Sequence, residues 1–335
     1  MRVTRNLLLN AARDHVKSQT YNNPDIACVF LIGSLVKEEA FIGDATDIDL
    51  VFIHNTEPSS EREVIALADN YHLDVFHYPR RIFNQPKDLR TDPWMGCLFC
   101  EKPFVLFDSY HYYDFIRAGV FSSFFSPINS LARSQYFYTR AREGWAALHN
   151  ADPVITVDFV YEYLQVLWSA GNAISCLVGK PLPERNFLSK LEEVTTYLGR
   201  PGLASGLRDL YAIDDYSIFN WEDNINSMKV SFQTLAEKSY CPPQYSPARF
   251  QYYRCAVLAH QNERSDEALW ILLWIWSNVM HVLPRKTTEV KSWKAFCQEI
   301  KIDLDSFPAR IEQLDLYLDA LDTTIEEWKN ISGIQ

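Results

Sequence analysis

No run in this sequence is apolar enough to span a bilayer. The longest candidate, Ala268 to Leu283, is interrupted by Ser277, Asn278 and His281. It falls short of the ~18–20 apolar residues of a membrane helix, so it reads as a buried one. The opening Met1-Arg2-Val3-Thr4-Arg5 lacks the apolar core of a signal peptide. The 7 cysteines show no framework spacing in 335 residues. That excludes a disulfide-stapled mini-fold and leaves reduced thiols in a cytoplasmic setting as the expectation. Positive charge is in short supply, with 32 Lys and Arg against 43 Asp and Glu and a net charge of −11. This balance argues against a nucleic-acid backbone as the main partner and favours a neutral or cationic one. Neither a fixed-period repeat nor a low-complexity tail occurs.

What remains is an ordinary globular chain, 47% hydrophobic and 22% charged, long enough for two domains. The first third alternates helical and strand patterns. Helices are predicted at Leu7 to Lys17, Ser34 to Ala40 and Glu61 to Tyr71, the last opened by a Ser60/Glu63 capping box. Strands are predicted at Ile26 to Ile32, Asp47 to Ile53, Leu73 to Tyr78 and Phe104 to Phe107. From about Ser126 glycine becomes rare and the apolar period is helical. The helices predicted there run Leu131 to His149, Val157 to Val178, Phe187 to Leu198, Tyr211 to Lys238, Pro247 to Gln261, Asp266 to Leu283, Trp293 to Ile300 and Phe307 to Ser332. The expected organisation is an α+β domain over residues 1–120, followed by an all-α region over 121–335. A further break falls near 240–247, where Pro242, Pro243 and Pro247 cluster.

One constellation carries chemistry. Gly33-Ser34 ends an apolar strand, Asp47-Ile48-Asp49 opens a second, and Asp74 lies in a third. Carboxylates at i and i+2 of a strand share a face, and crowded like charges call for a compensating cation. Hard divalent cations take oxygen ligands. Glycine lets a phosphate approach the backbone closely, and a helix starting at Ser34 would offer free N–H groups to it. The pattern therefore points to a metal-dependent phosphoryl-transfer enzyme or the descendant of one. An Asp-x-Asp alone is a weak signal; the three-strand combination is far more specific.

The pattern resembles the nucleotidyltransferase superfamily that includes DNA polymerase beta and the small bacterial antibiotic nucleotidyltransferases. Gly33, Ser34, Asp47, Asp49 and Asp74 carry the resemblance, which covers roughly the first 110 residues. It implies a small mixed sheet backed by helices with the site on one sheet face. It implies Mg²⁺, or Mn²⁺, held by Asp47, Asp49 and Asp74, with Asp74 a third ligand or the base. Gly33, Ser34 and Lys37 would bind the phosphates of an NTP, most simply ATP. The expected reaction moves a nucleoside monophosphate to a hydroxyl of a small molecule, an antibiotic-like one among the candidates. The alternative is a catalytically degenerate fold serving as a nucleotide-binding or protein-partner module. The fourteen-position spacing from Gly33 to Asp47, with Glu38 and Glu39 inside it, favours that alternative.

Other features have plainer expectations. Cys97 and Cys100 form a lone C-x-x-C and read as structural thiols. His54, His72 and His77 flank the acidic strands and read as structural. Arg80, Arg81, Arg133, Arg140, Arg142 and Glu143 read as solvated. Trp270 and Trp274, at i and i+4, read as core.

Overall fold

The computed structural model describes residues 3–36, 41–100, 104–151 and 154–334. The chain is α+β in its first part and all-α thereafter. It divides into two compact units. One holds residues 1–124 together with Cys241–Cys255, and the other holds Phe125–Tyr240 and Ala256–Gln335. The sequence pattern alone places residues 241–255 with the helical region.

The first unit is built on helix α1 (Arg5–Thr20) and strands β1 (Ile26–Ile32), β2 (Thr46–His54), β3 (Arg62–Ala68), β4 (Tyr71–Pro79) and β5 (Phe104–Asp108), then helix α2 (Tyr112–Phe124). The sheet order is β3-β4-β2-β1-β5. The β2–β4 pair is parallel, and β1–β2, β1–β5 and β3–β4 are antiparallel. Alternation along the strands builds two cores. On one face Val29, Leu31, Ile48, Leu50, Phe52, Leu73 and Val75 pack with Leu8, Leu9, Ala12 and Val16 of α1. On the other, Cys28, Phe30, Val51 and Ile53 pack with Tyr113, Ile116, Val120 and Phe124 of α2. Asp108, ending β5, accepts from the Tyr112 and Tyr113 N–H groups at 2.8 and 3.1 Å and so starts α2. This helix has no counterpart in the sequence reading.

The helix expected over Glu61 to Tyr71 is instead strand β3. Its residues are good helix formers, but Asp69 and Asn70 turn the chain back on itself. Pairing to β4 from Arg62↔Phe76 to Ala68↔Tyr71 overrides the local preference. Glu63 lies within this strand, so no capping box forms. The helix expected from Ser34 is a 3₁₀ turn over Ser34–Val36, and Lys37, Glu38, Glu39 and Ala40 lie outside the described residues.

The second unit holds α3 (Pro127–Asn150), α4 (Val157–Val178), α5 (Phe187–Tyr197), α6 (Gly202–Asp209), α7 (Trp221–Ala236), the end of α8 (Pro247–His260), α9 (Ser265–Val282), α10 (Glu289–Glu299) and α11 (Phe307–Ile331). The helix expected from Tyr211 begins only at Trp221, where the Asn220 side chain accepts from the Asp223 N–H at 3.2 Å. Trp270 and Trp274 are buried as expected, in an aromatic column with Trp168 and Phe187 at centroid spacings of 4.5–5.5 Å. Buried Glu267 accepts from the Leu188 and Ser189 N–H groups, tying α9 to the first turn of α5. No described helix is long and apolar enough to cross a membrane.

Candidate active site

The register between β2 and β4 decides the geometry. Asp47 lies opposite His72, and Asp49 opposite Asp74. Directly opposed residues share a face, so all four side chains rise from the face that packs on α2 further along the strands. Ile48 and Leu50 bury on the α1 side and hold this orientation, because a one-residue slip would drive both carboxylates into that core. Asp47 and Asp74 are buried and Asp49 is partly so. Asp47, His72 and Asp74 each bring a ligand atom within 4.8 Å of the others.

Gly33 follows β1 with a φ of +77°, and a Cβ built there would lie 1.9 Å from Asp49 Oδ2. Only glycine meets both constraints, the left-handed backbone and the carboxylate against it. The Ser34 hydroxyl lies 3.2 Å from Thr46 Oγ1, within β2 and next to Asp47. A 3₁₀ turn over Ser34–Val36 follows, and the rest of the helix expected over Ser34 to Ala40 lies outside the described residues.

Two arginines not singled out from sequence complete the cluster. Arg62 of β3 grips Asp74 with both arms of its fork, Nε to Oδ1 at 2.8 Å and Nη2 to Oδ2 at 2.6 Å. Arg249 of α8 donates from Nη1 to Asp74 Oδ2, and its Nη2 lies 3.5 Å from Asp47 Oδ2. The Tyr252 and Tyr253 rings flank the Arg249 guanidinium at 4.8 and 5.4 Å. The Tyr252 ring also meets His72 edge-on at 5.3 Å.

Electrostatics follow from this packing. Burial works against the charged form of Asp74, but the Arg62 hydrogen bonds and both guanidinium charges outweigh it and hold the carboxyl below its ordinary range. Burial pushes Asp49 well above that range, and the negative charges of Asp47 and Asp74 add to the effect. Two guanidiniums thus face the three acidic side chains on this sheet face.

The remaining sequence candidates lie elsewhere. His54 and His77 join Phe52 on the opposite sheet face, where their rings meet at 2.9 Å between His54 Nε2 and His77 Nδ1. Arg80 lies over the Tyr112 ring and Arg81 pairs with Glu57. Arg133 is buried rather than solvated, and Arg142 pairs with Asp315 and Asp319. Cys97 and Cys100 are free thiols, and their sulfhydryls donate to backbone carbonyls of Trp94 and Gly96.

No protein-family profile and no curated protein sequence matches the chain. Among solved structures, a nucleotidyltransferase-like protein from Exiguobacterium sibiricum is similar over 89% of this chain and 89% of its own, with a TM-score of 0.34 and 10% identity. Likeness at that level assigns neither family nor activity. The donor set itself fits a hard divalent cation, being oxygen-rich, anionic and convergent on one sheet face.

Proposed function

We propose that the first unit is a metal-dependent nucleotidyltransferase. It would move a nucleoside monophosphate from an NTP, most simply ATP, to a hydroxyl of a small molecule. The observation that carries this reading is the convergence of Asp47, Asp49 and Asp74 on one face, with Gly33 pressed against Asp49. The acceptor oxygen attacks the α-phosphorus, the bond to the bridging oxygen breaks, and pyrophosphate leaves. The acceptor's proton passes to a carboxylate, Asp74 being the candidate base once a guanidinium partner releases one of its oxygens. Asp47, Asp49 and Asp74 would hold Mg²⁺ or Mn²⁺, which supplies charge stabilisation of the transferring phosphoryl group. The chain's own contribution is positioning, since phosphoryl transfer needs no covalent nucleophile. Gly33 leaves room for the Asp49 carboxylate against the backbone, and Ser34 is tied to Thr46, next to Asp47.

One observation favours a second reading. Arg62 and Arg249 already neutralise Asp74 and Asp47, as a degenerate member kept for nucleotide or partner binding would allow. Pyrophosphate release separates the two. The assay takes each NTP with Mg²⁺ across aminoglycosides, lincosamides and other hydroxyl acceptors. Acceptor-dependent release that Asp49→Asn abolishes supports the enzyme. Nucleotide binding without release from any NTP supports the second reading.

A further inference from the structure

The proposed chemistry needs a cation between Asp47 and Asp74, and the fold already supplies one. Arg249 arrives from 175 positions along the chain, and its side chain is only 5% exposed. It reaches both carboxylates that would ligate a metal. Its buried Nε has no hydrogen-bond partner among the described residues. Here charge, rather than a full set of hydrogen bonds, fixes the group. Arg62 differs, because it grips Asp74 side-on from the neighbouring strand and does not reach Asp47.

A guanidinium that spans Asp47 and Asp74 competes for the same space with a divalent cation bridging that pair, whereas Arg62, bound to Asp74 alone, can stay as an outer hydrogen-bond partner. Resting on the metal-dependent reading above, we propose that Arg249 is a resident counter-ion that the metal displaces. In the metal-free protein it keeps Asp47 and Asp74 from repelling each other. Metal entry requires it to release both, so metal affinity is set by a competition within the chain. Arg249 is thus a positioning residue, acting through the carboxylates.

The test is Mn²⁺ binding to the nucleotide-free full chain, read by electron paramagnetic resonance. Displacing a desolvated charge pair is costly, so Arg249→Met should bind Mn²⁺ more tightly by on the order of tenfold or more. Arg249→Lys keeps a charge but loses the two-armed fork, so its affinity should fall between the two. It decides the matter if the methionine variant does not fold. Adding Asp47→Asn to Arg249→Met should remove the gain. Unchanged or weaker Mn²⁺ binding in both Arg249 variants overturns the proposal while leaving the metal-dependent reading intact. A gain that survives Asp47→Asn also overturns it, since the metal then sits elsewhere. Absence of Mn²⁺ binding in wild type and variants alike overturns the metal-dependent reading and the counter-ion with it.

Discussion

Replacing Gly33 with alanine tests the core of the site without touching a charge. The new Cβ would lie 1.9 Å from Asp49 Oδ2, 2.9 Å from its Cγ and 3.3 Å from its Cβ. Rotating the carboxylate clears the oxygen, but the contact with the Asp49 Cβ persists whatever the rotamer. Overpacking of this kind costs ~1–3 kcal/mol. The backbone adds its own cost: a φ of +77° is a left-handed conformation, worth ~1–2 kcal/mol against a residue with a Cβ. Gly33→Ala should therefore destabilise the protein by about 2–5 kcal/mol in urea unfolding followed by circular dichroism. The two parts separate in a double-mutant cycle. In an Asp49→Ala background the steric part vanishes and only the backbone cost remains, giving a coupling of ~1–3 kcal/mol. A loss under ~1 kcal/mol for the single variant refutes the strain argument. A cycle with no coupling shows that the glycine does not press on Asp49.

Three other outcomes are expected. Because the Asp49 carboxyl titrates above its unfolded value, it binds more protons folded than unfolded, and its contribution to stability declines as pH rises from about 4; Asp49→Asn should flatten that decline in melting curves from pH 4 to 8, and an unaltered slope would contradict the assignment. Burial lowers His77 and His15 below the usual imidazole value, so protons favour the unfolded chain and stability should drop as pH falls below about 6.5. His77→Phe should lessen that drop, and a variant as acid-sensitive as wild type would contradict it. Removing Glu267 strands the Leu188 and Ser189 N–H groups in a buried place, so Glu267→Ala should cost ~2–4 kcal/mol in chemical denaturation, with Glu267→Gln milder; equal losses for the two would mean packing, not hydrogen bonding, is at stake.

The strands that carry the acids were legible because their signals are local. Ile26–Ile32 is an unbroken apolar run closed by glycine. The Asp-x-Asp parity of β2 fixes which residues face outward. Strand β3 was not legible, since Glu, Ala and Leu dominate it and only pairing with β4 makes it extended. Missing β3 hid Arg62, which a helix would have turned to solvent. Arg249 was hidden for a different reason. It stands in Ser246-Pro247-Ala248-Arg249, an ordinary helix start, and its role depends on which element it meets in space. His72 is intermediate: its position two residues before Asp74 already implied the shared face. Of the helix expected over Ser34 to Ala40, the described part, Ser34–Val36, is a 3₁₀ turn.

The return of residues 241–255 to the first unit has a consequence for synthesis. Asp74 and Arg249 are 175 positions apart, and at 5–20 residues per second that interval takes roughly 10–35 s to translate. The sheet's strands all precede residue 109, so they can pair on the ribosome long before the arginine exists. During that time Arg62 alone opposes the carboxylates of the cluster. The nascent sheet must tolerate the repulsion, take up protons on its acids, or borrow a cation from the cell. Closure of the N-terminal unit is therefore a late event, timed by the second passage of the chain rather than by the first.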